Sequence, residues 1–236
     1  MILAGGLALR LRPLTESVPK VLVPVAGRPF ADHQLTWLAA QGITDVVFAV
    51  GYLGGAVREF VGAGESWGIR VRYSDEGNEL RGTGGALRLA YEDGLLQPDF
   101  GVLYGDSYLM APLGAAWAEF AATVPAVLMT VYRNEGRWDD SNAQLSGGFV
   151  VRYEKGIVDP EGAGMHHIDY GFSIIDRDQV MPRIEQGAVV DLAEVYRALS
   201  AERRVRAFEV WDRFYEIGSP TGLAELEGLL EGTGRA

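Results

Sequence analysis

The segment from Ile2 to Pro24, ILAGGLALRLRPLTESVPKVLVP, constrains this chain more than any other. A short apolar run, Met1 to Leu3, stops at Ala4, Gly5 and Gly6. Arg10, Arg12 and a Pro19-Lys20 pair follow before the next apolar run. A strand that ends in paired glycines lets backbone N–H groups approach a phosphate closely. An arginine and a lysine in the same turn-rich loop then neutralise several phosphate oxygens. Of 21 basic residues only Lys20 and Lys155 are lysines. In a chain that otherwise uses arginine, they mark places where a compact point charge is wanted and a planar fork does not fit; chance survival on the surface is the alternative.

Composition narrows the classes. A chain of 236 residues, 48% hydrophobic, holds a sizeable core as one α/β domain or two small ones. No apolar run reaches the ~20 residues of a membrane span. The opening lacks a basic start, and its apolar run breaks at Gly5-Gly6, unlike a signal peptide. Cysteine is absent, which excludes disulfides and thiol chemistry and fits a cytoplasmic protein. A net charge of −11 argues against a nucleic-acid surface. A polyanionic small substrate would need a local cluster of cations, or Mg²⁺, to overcome that field.

The pattern alternates strands and helices as far as Tyr132. Strands are expected at Met1–Ala4, Asp45–Val50, Ile69–Tyr73, Gly101–Tyr104 and Val127–Tyr132. Helices are expected around Phe30–Leu38 (ending at Gly42), Leu53–Val61, Gly84–Tyr91 with Thr83 as N-cap, and Leu113–Thr123. Then come strands at Asn142–Leu145, Phe149–Glu154 and His167–Ile175, a helix at Asp191–Ser200, strands at Val205–Val210 and Phe214–Ile217, and a last helix opened by Ser219-Pro220. The expected fold is α/β: a Rossmann-like mixed, mostly parallel sheet with helices on both faces. With no evident linker or repeat, one domain over residues 1–236 is the simpler division, a nucleotide-binding half (1–135) followed by a substrate half (136–236).

Several residues carry chemistry. Asp106 follows an apolar strand, where α/β sheets place ligands, and is a natural Mg²⁺ ligand or else a turn Asp. Glu216, in FYEIGSP, completes a two-carboxylate metal site or discourages sheet pairing at an edge. Arg81-Gly82-Thr83-Gly84-Gly85 is a second glycine-rich turn into a helix, without the spacing of a P-loop or dinucleotide fingerprint. Lys155, after Glu154, is suited to the phosphate of a second substrate. Asp169 is suited to sugar hydroxyls, or is a plain surface carboxylate. Asp191 with Glu194 reads as a capping box. His33 shares a helical face with Phe30 and Trp37 and reads as packing. His166 and His167 point to opposite faces, wrong for joint metal ligation.

LAGG, Arg10, PLT, Pro19-Lys20 and PV-G-P, followed by GTGGAL, Gly105-Asp106, Glu154-Lys155 and the IGSP turn, resemble the signature of sugar-1-phosphate nucleotidylyltransferases across essentially the whole chain. The resemblance implies a nucleotide-diphospho-sugar transferase-like fold. It implies a reaction in which a nucleoside triphosphate and a sugar 1-phosphate give a nucleotide sugar and pyrophosphate. By that resemblance Arg10 grips pyrophosphate, Lys20 neutralises charge at the α-phosphorus, and Asp106 with Glu216 holds Mg²⁺. Leu3, Ala4, Gly5, Gly6, Glu76, Gly82 and Thr83 line the nucleotide. Asn142, Glu154, Lys155 and Asp169 meet the sugar phosphate. The family's usual glycine and threonine before the arginine are Ala8 and Leu9 here, and its usual late aspartate is Glu216. The first strand is shorter than usual, so Met1 need not be the natural start. The resemblance leads us to expect no β-helix domain like that of some relatives.

Glu76 and Glu79 offer acceptors for the N1–H and N2–H₂ of guanine, which leans the base toward GTP, with a heptose phosphate as one sugar and a uridylyltransferase as the other reading. The alternatives are a cytidylyltransferase for a small alcohol phosphate such as phosphocholine, with Trp138, Tyr170 or Tyr215 as an aromatic box, a glycosyltransferase (disfavoured because Asp106-Ser107-Tyr108 is not Asp-x-Asp), and a catalytically silent homologue.

Overall fold

The computed structural model describes residues 1–77 and 79–233. In chain order the strands are β1 (Ile2–Leu3), β2 (Pro24–Val25), β3 (Arg28–Pro29), β4 (Asp45–Val50), β5 (Arg70–Asp75), β6 (Asp99–Tyr104), β7 (Ser107–Tyr108), β8 (Val127–Arg133), β9 (Ala143–Ser146), β10 (Phe149–Tyr153), β11 (His167–Asp176), β12 (Val205–Val210) and β13 (Tyr215–Glu216). The helices are α1 (Phe30–Ala40), α2 (Gly54–Val61), α3 (Gly82–Glu92), α4 (Gly114–Thr123), α5 (Arg177–Val180), α6 (Leu192–Ala201) and α7 (Pro220–Thr233). The chain forms two compact units that interleave in sequence. One comprises Met1–Leu80, Tyr104–Leu109 and Phe214–Ala236, and the other Arg81–Leu103 with Met110–Arg213.

In the first unit β4 is parallel to both β1 and β5, with Ile2 opposite Phe48 and Asp45 opposite Arg70. The sequence DVVFAV of β4 is buried at every position after Asp45. That is the signature of a strand covered on both faces, and it explains why the run is continuous rather than alternating. A second cluster packs Leu11, Val23, Val25 and Phe30 against Ile217 of the late turn and Leu226 of α7. This cluster anchors the loop that carries Arg10 to the segment that carries Glu216. Burying Leu226 fully contributes roughly 1.5–3 kcal/mol to that anchoring. The Ser219-Pro220 start of α7 is as expected, with the Ser219 hydroxyl accepting from the Gly222 N–H at 3.1 Å. His33 is buried and its Nε2 meets the Val25 carbonyl at 2.9 Å, a packing role.

In the second unit β11 runs antiparallel to β6 and β8, β12 runs parallel to β8, and β10 runs antiparallel to β12 and β9. The sheet is mixed, as expected, but in this unit these pairings are antiparallel except β8–β12, where a mostly parallel sheet was expected. β11 is buried at every position from Ile168 to Ile175. Tyr153 of β10 meets Tyr196 of α6 edge to face at 5.8 Å, which fixes that helix on the sheet. Asp191 caps α6 by accepting from the Ala193 N–H at 2.9 Å.

One helix start departs from expectation. The N-cap position of α3 is Arg81, and Thr83 lies inside the first turn. Its hydroxyl is engaged with the α6 cap instead, donating to Asp191 Oδ1 at 2.9 Å and accepting from the Leu192 N–H at 2.8 Å. A threonine next to glycines reads locally as a cap; a partner 108 positions away outcompetes that role.

Candidate active site

The first unit gathers the opening loop and both carboxylates. After β1, Ala8 adopts a left-handed conformation (φ 48°), and a single 3-10 turn, Leu9–Leu11, follows. The Ala8 carbonyl accepts from the Leu11 N–H at 3.1 Å and from the Thr15 hydroxyl at 2.8 Å, which fixes the loop from inside. Ala8 stands where the resembling family usually has glycine, and it adopts a backbone shape that glycine takes without strain. The loop geometry therefore survives the substitution at a cost.

Lys20 opens another short 3-10 turn behind Pro19. Its Nζ lies 2.5 Å from Asp106 Oδ2, with the two side chains 18% and 26% exposed. Asp106 sits between β6 and β7. β7 pairs with β13 so that Ser107 faces Glu216, and the Ile217 N–H donates to the Asp106 carbonyl at 2.9 Å. The two carboxylates thus stand one residue apart across a two-residue ladder. Arg10 completes the group: a Cβ placed on Gly218 would lie 2.9 Å from Arg10 Nη2 and 3.2 Å from Glu216 Oε1. A cavity of about 420 Å³ is lined by Leu7, Ala8, Arg10, Lys20, Leu80 and Gly218.

Sequence reasoning missed Gln34. It is 1% exposed on α1, and its Nε2 donates to the carbonyls of Tyr104 and Ser107 at 3.1 and 2.9 Å. These carbonyls flank Asp106, so the amide pins the turn that presents it. The signal was present: Gln34 stands at helical spacing with Phe30, Ala31, Leu35 and Leu38, and a polar residue among such apolar positions needs a partner.

The proposed nucleotide residues of this unit also converge. Leu3 lies opposite Ala49, and the Ala4 N–H donates to the Ala49 carbonyl at 2.9 Å. Glu76 follows β5, its N–H donating to Val50 at 3.0 Å. Its carboxylate fills the space beside the glycines: a Cβ on Gly5 would fall on Glu76 Oε1, and one on Gly51 would lie 2.9 Å from it. Gly6 has open space at the same position, and Glu79 is exposed.

In the second unit the first turn of α3 packs on backbone. Gly82 has φ 71°, a Cβ there would lie 2.5 Å from the Val190 carbonyl oxygen, and the Gly84 and Gly85 N–H groups both donate to that oxygen. Asn142, Glu154, Lys155 and Asp169 come together. The Asn142 carbonyl accepts from the Glu154 N–H at 2.9 Å, and its Oδ1 accepts from the Asp169 N–H at 2.9 Å. Asp169 is a buried carboxylate, which overturns the plain surface reading. It accepts from the Tyr153 hydroxyl at 3.1 Å and the Gly171 N–H at 3.0 Å. Burial, and then Asp169, push the Tyr153 hydroxyl well above the usual phenol range, so it stays a donor. Glu154 pairs with Arg152 at 2.7 Å, and exposed Lys155 holds its Nζ 6.0 Å from the Tyr153 ring.

Among the described residues no group of three or more His, Cys, Asp or Glu is placed to hold a metal ion, and no helix is long and apolar enough to cross a membrane.

Residues 1–138 match the family model described as nucleotidyl transferase. The chain is 29% identical over 232 residues to the N-acetylmuramate alpha-1-phosphate uridylyltransferase of Neisseria meningitidis, covering 97% of this chain and 96% of that protein. It is 30% identical over 225 residues to the mannose-1-phosphate guanylyltransferase of Mycobacterium tuberculosis, covering 93% of this chain but 61% of that longer protein. Among solved structures, HddC from Yersinia pseudotuberculosis complexed with GMP-PN superposes with a TM-score of 0.76 at 21% identity, covering 97% of each chain. At that identity the likeness concerns the fold.

Proposed function

The chain belongs to the nucleotidyl transferase family, and we propose that it transfers a nucleotidyl group from a nucleoside triphosphate to a sugar 1-phosphate, releasing pyrophosphate. The observation that carries this reading is the convergence of Arg10, Lys20, Asp106 and Glu216 in one compact unit beside a cavity, in a protein whose net charge otherwise repels polyanions. An oxygen of the sugar phosphate attacks the α-phosphorus; its bond to phosphorus forms as the bond to the bridging oxygen of pyrophosphate breaks. The attacking oxygen is already ionised at neutral pH, so no general base is needed. Positioning and charge neutralisation are what the protein supplies. Lys20 supplies positive charge where the transition state gathers negative charge, and Arg10 holds the departing pyrophosphate.

Asp106, immediately before β7, and Glu216, opposite Ser107 on the β7–β13 ladder, offer hard oxygen donors, a set that fits Mg²⁺ with the remaining positions left to phosphate and water. Mg²⁺ held there would neutralise triphosphate charge. In the second unit, Lys155 would meet the sugar phosphate, and Asn142, Glu154 and Asp169 would border the sugar. Gly82 and Thr83 would border the nucleotide.

Guanine is the favoured base, because Glu76 places a carboxylate acceptor against the glycine loop. Uracil is the second reading, because the uridylyltransferase matches along nearly the full length of both chains. The phosphocholine reading loses support: the Arg213 guanidinium already lies 3.4 Å over the Trp138 ring, the face a quaternary ammonium would use. A cytoplasmic location and a single-domain organisation complete the proposal. The test incubates the protein with each of four nucleoside triphosphates and a panel of sugar 1-phosphates plus Mg²⁺, reading pyrophosphate. Release that requires both substrates supports the reading; no release with any pair refutes it.

A further inference from the structure

The second unit contains a different cationic cavity, of about 250 Å³, whose walls include Val124, Phe149, Gln179, Arg203, Arg204 and Arg206. Three guanidiniums line it and no carboxylate does. In a chain of net charge −11 that is a local gathering of cations. The arginines are held from behind. Glu119 accepts from Arg206 Nε and Nη2 at 2.9 and 2.7 Å, and Gln179 Oε1 accepts from Arg204 Nη2 at 2.6 Å. Arg204 also lies 3.8 Å from Glu202. Arg203 meets no carboxylate among the described residues; its Nη2 donates to the Ser146 carbonyl at 3.3 Å. The Arg203 and Arg206 guanidiniums lie 5.7 and 5.4 Å from the Phe149 ring centre, so one aromatic ring contacts both.

The backbone supplies an independent observation. α4 and α6 are each followed by a left-handed residue, a position usually given to glycine. Here they are Val124 (φ 45°) and Arg203 (φ 55°), and both line this cavity. A β-branched residue in that region is an outlier. Val124 is also 65% exposed, so apolar burial does not account for it. In the β9–β10 turn, a Cβ on Gly148 would lie 2.5 Å from Arg206 Nη1, so the missing side chain gives that guanidinium its place. Strained residues persist where the surroundings over-determine them, and two converging on one charged cavity point to a site.

The geometry points to a binding site for a small oxyanion carrying two or more negative charges, such as a phosphate or pyrophosphate group, held by Arg203 and Arg204 with Arg206 behind them. The volume falls below the ~300 Å³ at which drug-sized ligands begin to fit, so a whole nucleotide is not the expected occupant. None of these residues belongs to the proposed catalytic set, and the inference does not depend on the proposed reaction.

Isothermal titration of the full chain carrying Arg10→Ala and Lys20→Ala, with inorganic pyrophosphate and separately with inorganic phosphate, tests it. These substitutions remove the proposed pyrophosphate grip, and any binding left at Lys155 is told apart because the Arg203 and Arg204 substitutions do not touch it. The expected result is salt-sensitive binding, tighter for pyrophosphate, that weakens at least tenfold when Arg203→Gln and Arg204→Gln are added. If the combined variant fails to fold, Arg203→Gln alone, at an exposed side chain, is expected to weaken binding at least threefold. Absence of binding at millimolar pyrophosphate, or binding unchanged by the arginine substitutions, overturns the site. The arginines would then serve only the helix ends and Glu119.

Discussion

Lys20 Nζ and Asp106 Oδ2, 86 positions apart in sequence, meet at 2.5 Å. The cation proposed for a phosphate and the carboxylate proposed for a metal neutralise each other in this pair. On the proposed reading, a metal–triphosphate complex would replace this pair, giving the cation a phosphate and the carboxylate a metal.

That pairing predicts that arginine cannot replace the lysine. A guanidinium is larger, planar and less able to approach one carboxylate oxygen and one phosphate in turn. Lys20→Arg is expected to fold normally and to lose about 10²-fold in kcat, the scale seen when one preorganised charge donor is displaced. Steady-state kinetics with thermal melting checks it; wild-type kcat in the arginine variant would show that position and charge alone suffice.

Gln34 is predicted to position Asp106 without touching substrate. Gln34→Leu strips the donor from two buried carbonyls, a cost of about 1–3 kcal/mol in unfolding free energy. Because the turn presenting Asp106 loosens, kcat should fall while the KM for sugar phosphate stays near wild type. A variant that loses stability but keeps kcat would assign Gln34 to packing alone. Its Oε1 is buried with no partner, so its substitution sacrifices no bond there.

Ala8→Gly should stabilise the protein. A left-handed alanine costs roughly 1–2 kcal/mol, and the added freedom of glycine in the unfolded chain returns roughly 0.4–1 kcal/mol of that. The expected net gain is about 0.5–1 kcal/mol with activity retained, measured by denaturant unfolding. A loss of stability would mean that the Ala8 methyl makes contacts outweighing the strain.

Asp99 faces Asp176 across the β6–β11 ladder. Partial burial, then the Asp176 and Asp178 carboxylates, hold its carboxyl above the ordinary range. An acid whose folded value is raised destabilises the fold once pH exceeds its unfolded value near ~4. Asp99→Asn should therefore raise the melting temperature slightly at neutral pH, by less than the equivalent of about 0.5 kcal/mol. The gain should vanish as pH falls below ~4. A difference that grows with acidification would reverse the assignment.

The sequence was most legible where one element decides its own state. DVVFAV could be little but a doubly covered strand, and Ser219-Pro220 could be little but a helix start. It was least legible where long-range partners decide. Thr83 was expected at a cap because nothing local reveals that Asp191 claims its hydroxyl. Asp169 looked as suited to the surface as to a ligand because strand alternation gives a face but not what covers it; Asn142, Tyr153 and Gly171 cover it. Arg10, Lys20 and Asp106 were each visible as charges beside glycine turns. Their mutual geometry was not, since the contact between Lys20 and Asp106 depends on how distant loops close over one another.

The most direct measurement is single-turnover pyrophosphate release by Lys20→Ala and by Asp106→Ala, at saturating Mg²⁺, nucleoside triphosphate and sugar 1-phosphate. The account predicts rates at least about 10²-fold below wild type for each variant, with folding intact by circular dichroism. Rates equal to wild type in both would contradict it.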